Sequence, residues 1–195
     1  MYMKNLCVFC GSNAGADPIY TQAAQELGKL MAERDMTLVY GGGNVGLMGV
    51  IADECLNHGG KVIGVIPNFL QDKEVGHDGL TKMIVVKTMH ERKQIMADLS
   101  DGFVAMPGGF GTMDELCEIL TWSQLGLHSN PIGLLNINGY YDHLKILFDH
   151  MVDQRFLHPQ NRATVLSHSK PEQLLRMMDQ YEPPDVEKWL DRAQV

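Results

Sequence analysis

The stretch PGGFGTMDE, from Pro107 to Glu115, joins an apolar run to a helical pattern through three glycines, a threonine and two carboxylates. Glycine permits positive φ and puts no Cβ in the way, so backbone N–H groups can close on a phosphate at the head of a helix. Two more glycine-rich turns sit at junctions of the same kind, CGSNAG (10–15) and YGGGNVGLMG (40–49). Tight packing alone can explain one such turn; three at the carboxyl ends of strands, after the first, second and fifth apolar runs, point to a phosphate pocket. Gly41, Gly43 and Gly46 also spell G-x-G-x-x-G. The next apolar run, however, ends in Ile66-Pro67, where a dinucleotide site needs an Asp or Glu. The pattern G-x-x-x-x-G-K-[ST] is absent, which disfavours a P-loop and leaves a smaller ligand, a nucleoside monophosphate or sugar phosphate.

Charged residues flank these turns. Asp114 and Glu115 are expected in the first turn of the helix entered from PGGFGT, where a carboxylate gains from the helix dipole. Thr112 and Glu115 also match the capping box, so a purely structural role competes with a chemical one. MHERKQIM places Arg92 and Lys93 in the first turn of an earlier helix, where a cation is unfavourable and so informative. An arginine can grip a phosphate or polarise a leaving group, and a carboxylate can orient water or stabilise a cationic sugar.

The elements that must position these groups alternate in type. Apolar runs at 5–10, 37–41, 61–66, 82–87, 102–107 and 131–136, with a weaker one at 163–167, read as strands covered on both faces. Helical patterns lie between them, the first opened by Asp17 as N-cap and Pro18 at the first helical position. Others follow near 46–58, 89–99, 112–126, 140–153 and 171–181. This rhythm predicts an α/β fold: a doubly wound, mainly parallel sheet of six or seven strands with helices on both faces, its ligand beyond the strands' carboxyl ends. A single domain is expected over 1–195, with 182–195 a polar, Pro-broken tail along the surface.

Composition narrows the partners. The net charge of −8 and the absence of a basic run argue against nucleic acid. No stretch has the length or apolarity of a membrane span or a secretory leader, so a cytoplasmic location is expected. The four cysteines make no disulfide framework. Cys7 and Cys10 form a C-x-x-C inside a strand, where i and i+3 face opposite sides, which suits neither redox chemistry nor zinc. No metal and no cofactor is expected. The methionines, among them Met89, Met96, Met106 and Met113, read as core or as an adaptable apolar wall beside a ligand.

GGGNVGLMG (41–49), MHERK (89–93) and PGGFGTMDE, with TWSQLG (121–126) and PIGLLNINGYYD (131–142), resemble the signatures of the LOG ("lonely guy") family of cytokinin riboside 5′-monophosphate phosphoribohydrolases. Its members long carried a lysine decarboxylase label. The resemblance implies a Rossmann-like fold, a homodimer with composite active sites, and hydrolysis of an N6-substituted AMP, a purine nucleoside 5′-monophosphate, to free base and ribose 5-phosphate. By position it implies Arg92 and Glu115 as the catalytic pair. Lys93, Gly109, Gly111, Thr112 and Thr121 fall on nucleotide-binding positions, and Glu74 on an acidic contact in a loop of variable length. Phe110 stands where the family commonly has tyrosine, and Asp114 where it has glutamate. Gly108 and Met113 complete the motif's expected contacts, and Ser12, Gly42 and Gly43 are expected around the ribose phosphate. A general nucleotide nucleosidase and a non-catalytic nucleotide-binding protein remain as alternatives. A decarboxylase does not fit, because no lysine is singled out for a pyridoxal phosphate Schiff base.

Overall fold

The structure, a computed structural model, describes residues 3–71 and 76–184. The strands are β1 (Asn5–Phe9), β2 (Thr37–Tyr40), β3 (Lys61–Pro67), β4 (Lys82–Val86), β5 (Gly102–Ala105), β6 (Ile132–Leu135) and β7 (Val165–His168). The helices are α1 (Pro18–Glu33), α2 (Gly46–Asn57), α3 (Met89–Asp98), α4 (Phe110–Gln124), α5 (Asp142–Asp153), α6 (Pro159–Ala163) and α7 (Pro171–Asp179). All seven strands pair in parallel in the order β4-β3-β2-β1-β5-β6-β7. The chain starts in the middle, winds out to β4, returns through α3 to β5 beside β1, and winds out the other way to β7. Loops leaving β1 and β5 therefore diverge and open a crevice at their carboxyl ends.

Continuous apolarity in the strands serves two cores. Leu6 and Val8 of β1 pack with α1, α2 and α7 residues such as Leu27, Ile51 and Leu174. Cys7 and Phe9 pack on the other face with Met96 of α3 and Leu116 and Ile119 of α4. Cys10 joins the first core, so the C-x-x-C thiols lie on opposite faces. Both thiols are pushed well up, by burial first. A thiol that resists ionisation is a poor nucleophile and a poor metal ligand.

The helix starts follow local chemistry. The Asp17 carboxylate accepts from the Ile19 N–H at 3.0 Å, and Pro18 occupies the first helical position. At Gly28 a Cβ would lie 2.7 Å from the Ile51 carbonyl oxygen, so glycine is what lets α1 lie close against α2. Strand and helix limits agree with the sequence pattern to within two residues, except that α6 was not expected. Within that margin one shift matters: α4 begins at Phe110, not Thr112. Residues 185–195, most of the expected tail, lie outside the described residues.

Candidate active site

A cavity of about 240 Å³ opens where β1 and β5 diverge. It is lined by the end of β1 and the following turn, Val8 to Ser12, by Gly41 and Arg92, and by the start of α4, where Asp114 and Glu115 face it.

Arg92 is the fourth residue of α3. The helix is opened by a complete capping box, with the Glu91 N–H donating to the Thr88 hydroxyl at 3.1 Å and the Glu91 carboxylate accepting from the Thr88 N–H at 3.4 Å. The first turn is thus headed by an acid, which offsets the cost of the cation behind it; Arg92 closes that turn and Lys93 opens the next. The Arg92 side chain is only 5% exposed, and its guanidinium donates to the Gly41 carbonyl at 2.9 Å. Gly41 is required for this seat, because a Cβ there would overlap the terminal nitrogen of Arg92.

The N-cap of α4 is Gly109, which offers no side-chain hydrogen bond. Thr112 is the third helical residue and Glu115 the sixth, so the expected Thr112–Glu115 capping box does not form, and neither Asp114 nor Glu115 lies in the first turn. The structural explanation for Glu115 thereby loses its basis. With no side-chain cap, the leading N–H groups of α4 remain available to an anion. The preceding carbonyls are committed elsewhere: the Tyr141 hydroxyl donates to Met106 O at 2.6 Å, the Gly11 N–H to Pro107 O at 3.1 Å, and the Tyr140 hydroxyl to Gly108 O at 2.5 Å. Two adjacent tyrosines and the turn after β1 thus hold the β5–α4 turn. Losing one such bond costs about 1 kcal/mol. Tyr140→Phe is therefore expected to lower the melting temperature by about 2–4 °C and, because the loosened turn carries the phosphate-binding N–H groups, to raise KM for a phosphorylated substrate up to about fivefold, as thermal unfolding and steady-state kinetics can read.

Glu115 is half-buried and lines the cavity. Its charge adds to burial in raising the Cys7 and Cys10 thiols, whereas the charge of Arg92 lowers that of Cys7. Carboxylate and guanidinium thus both act on Cys7 in β1, and both line one cavity.

Gly109, Phe110, Gly111, Thr112 and Asp114 also line the cavity, and Ser12 lines both it and an adjoining cleft of about 200 Å³ that takes in Gly108, Tyr20 and Tyr140. Other expected contacts stand elsewhere. Lys93 ties α3 to α4 through Asp114 (3.1 Å) and Glu118 (3.0 Å). Burial alone would lower its pKa, but the hydrogen bonds to Glu118 and Asp114 outweigh that and hold it above the ordinary lysine value. Thr121 is exposed further along α4, its hydroxyl donating to Cys117 O at 2.7 Å, and Met113 packs against the second core. Gly42 and Gly43 shape the turn behind Gly41, the first at φ +78° and the second bridged to Gly76. Glu74 lies outside the described residues. Met96 and Met106 are core, whereas Met89 lines the cavity. Met48 and Leu70 line it as well and carry no sequence signal distinguishing them from core residues. Among the described residues no cluster of His, Cys, Asp and Glu could hold a metal ion, and no helix is long and apolar enough to cross a membrane.

Comparison with known proteins adds an independent line. Residues 48–178 match a family model described as possible lysine decarboxylase. The chain is 45% identical over 181 residues to cytokinin riboside 5′-monophosphate phosphoribohydrolase LOG7 of Arabidopsis thaliana, covering 92% of this chain and 83% of that one. It is 49% identical over 176 residues to the probable enzyme of the same name, LOGL1, of Oryza sativa subsp. japonica, covering 90% and 79%. Among solved structures, the molybdenum cofactor carrier protein of Chlamydomonas reinhardtii superposes with a TM-score of 0.68 at 22% identity, covering 90% of this chain and 96% of that one, a likeness of fold.

Proposed function

Since the chain belongs to the LOG family of cytokinin riboside 5′-monophosphate phosphoribohydrolases, we propose that it hydrolyses the N-glycosidic bond of N6-substituted AMP, releasing the free base and ribose 5-phosphate. The observation that carries the reading at the level of the site is that Arg92 and Glu115 line one cavity, next to a helix end that no side chain caps.

The 5′-phosphate docks on the leading N–H groups of α4, with the Thr112 hydroxyl and Ser12 beside it. Cleavage of C1′–N9 leaves the electron pair on the base and positive charge on the ribose; water adds to C1′, and the proton it loses balances the charge on the departing base. Glu115 stabilises the cationic ribose and orients the water. Arg92 stands where it can hold ribose and phosphate or neutralise charge on the leaving base. A half-buried carboxylate and a buried guanidinium act more strongly than they would in bulk solvent.

The decarboxylase description fits the site poorly. No lysine is found among the described residues lining the cavity, and Lys93 is held protonated between two carboxylates, the opposite of what Schiff-base chemistry requires.

A homodimer with composite sites belongs to the same proposal. Phe110 is 95% exposed at the cavity mouth, and Thr121 is exposed on the same helix. A second copy laid over α4 would cover the phenyl ring and bring Thr121 to a nucleotide in the partner's site. Light scattering combined with activity tests this; a fully active monomer contradicts it. Four unpaired cysteines suit a reducing cytoplasm.

The function is tested by chromatographic measurement of base release from N6-isopentenyl-AMP beside AMP, GMP and CMP. Strong preference for the isopentenyl nucleotide is the expected result. Comparable release from the plain nucleotides would make the enzyme a general nucleosidase, and no release from any would leave a binding protein.

A further inference from the structure

Asp53 and His77 form a pair that the proposed chemistry does not use. His77 is 8% exposed, and both ring nitrogens are engaged: Nε2 lies 2.9 Å from the Asp53 carboxylate, and Nδ1 accepts from the Gly79 N–H at 3.1 Å. That pattern assigns the ring proton to Nε2, which donates to Asp53. The backbone N–H of His77 donates to the Gly42 carbonyl at 3.1 Å, and Gly76 bridges to Gly43. One peptide upstream, the Gly41 carbonyl accepts the Arg92 guanidinium. The three glycines are therefore gripped on one side by segment 76–79 and carry Arg92 on the other. They are boxed in by β3 as well, where a Cβ on Gly64 would come within 2.8 Å of the Gly42 Cα.

Asp53 stands on α2, the helix into which this glycine turn runs. Its bond to His77 braces segment 76–79 against the same rigid element that continues the turn. Without the brace, the segment would keep its bonds to Gly42 and Gly43 but lose its fixed anchor, and the Gly41 carbonyl would be freer to tilt.

We propose that Asp53, acting through His77, is a positioning residue for Arg92: the pair clamps segment 76–79 onto Gly42 and Gly43 and so fixes the carbonyl on which the guanidinium rests. The inference rests on the reading that Arg92 acts on the bound nucleotide. With Arg92 acting on the leaving base, it predicts a loss in turnover rather than in substrate binding, because the phosphate cradle on α4 is built from other elements.

Two variants test it. Asp53→Ala suits the fold, since the Asp53 side chain is 60% exposed and alanine favours helix. His77→Asn keeps an acceptor for the Gly79 N–H but is too short to reach Asp53. Each is expected to lower kcat for base release from N6-isopentenyl-AMP about tenfold, with KM changed less than about twofold. In an Arg92→Lys background, Asp53→Ala should cost nothing further, because both substitutions disturb the same guanidinium. A kcat for Asp53→Ala within about twofold of the unsubstituted enzyme, or losses that multiply in the double variant, would overturn the clamp. An Arg92→Lys variant with unchanged kcat would overturn the reading of Arg92 itself, and the clamp with it.

Discussion

Glu115→Gln is expected to lower kcat for base release about a thousandfold while leaving the protein folded. Glutamine keeps the shape of the side chain and its ability to orient water through an amide oxygen; what it removes is the negative charge. If the barrier is lowered mainly by charge beside a cationic ribose, that single change removes most of the effect. The helix start makes the experiment clean. Gly109, not Thr112, is the N-cap of α4, and Glu115 sits in the second turn, so the substitution forfeits no cap and only a weak dipole term. KM should change little, since the phosphate is held by backbone N–H groups on the preceding turn. Rates should be compared at matched folded fraction, judged by thermal unfolding. A folded Glu115→Gln protein with turnover close to the unsubstituted enzyme would remove Glu115 from the chemistry.

The sheet was legible because parallel strands covered on both faces carry near-continuous apolar runs, broken in β1 to β4 only by the polar residue that opens each strand; Leu6 and Val8 serve one core while Cys7 and Phe9 serve the other. The start of α4 was misleading for a definite reason. Thr112 and Glu115 have the spacing of a capping box, whereas the true start, Gly109 followed by Phe110, carries no polar cap to announce it. α6 is five residues long, too short to express a helical period, and only Pro159 at its first position hints at it. Arg92 and Lys93 are adjacent in sequence and read as one binding pair, yet successive helical residues point about 100° apart. One therefore reaches across to Gly41 while the other turns to Asp114 and Glu118. The seat of Arg92 could not be read at all, since Gly41 is 51 residues away in sequence and the contact exists only once β2 and α3 deliver both to the same end of the sheet.

That seat leads to the other large effect. Gly41→Ala is expected to lower kcat about a hundredfold with a small change in stability, an unusual outcome for a glycine in a tight turn. The backbone at Gly41 lies outside the positive-φ region, so alanine is not conformationally strained there. The methyl group instead overlaps the terminal nitrogen of Arg92, and the overlap is relieved by moving a side chain. Arg92 is 5% exposed and has little room to shift without leaving the Gly41 carbonyl, so the guanidinium is displaced from its working position. Gly42→Ala provides the contrast. At φ +78° an alanine is strained by about 1 kcal/mol or more, and its Cβ would press within 3.2 Å of the Met83 sulfur, so the principal loss there should be stability. Measured side by side, the neighbouring substitutions should separate: a lower kcat at near-native melting temperature for Gly41→Ala, and a lower melting temperature for Gly42→Ala. If Gly41→Ala is folded and turns over at the unsubstituted rate, the contact between the guanidinium and this carbonyl contributes nothing to catalysis, and Arg92 must act from a position it can reach without Gly41.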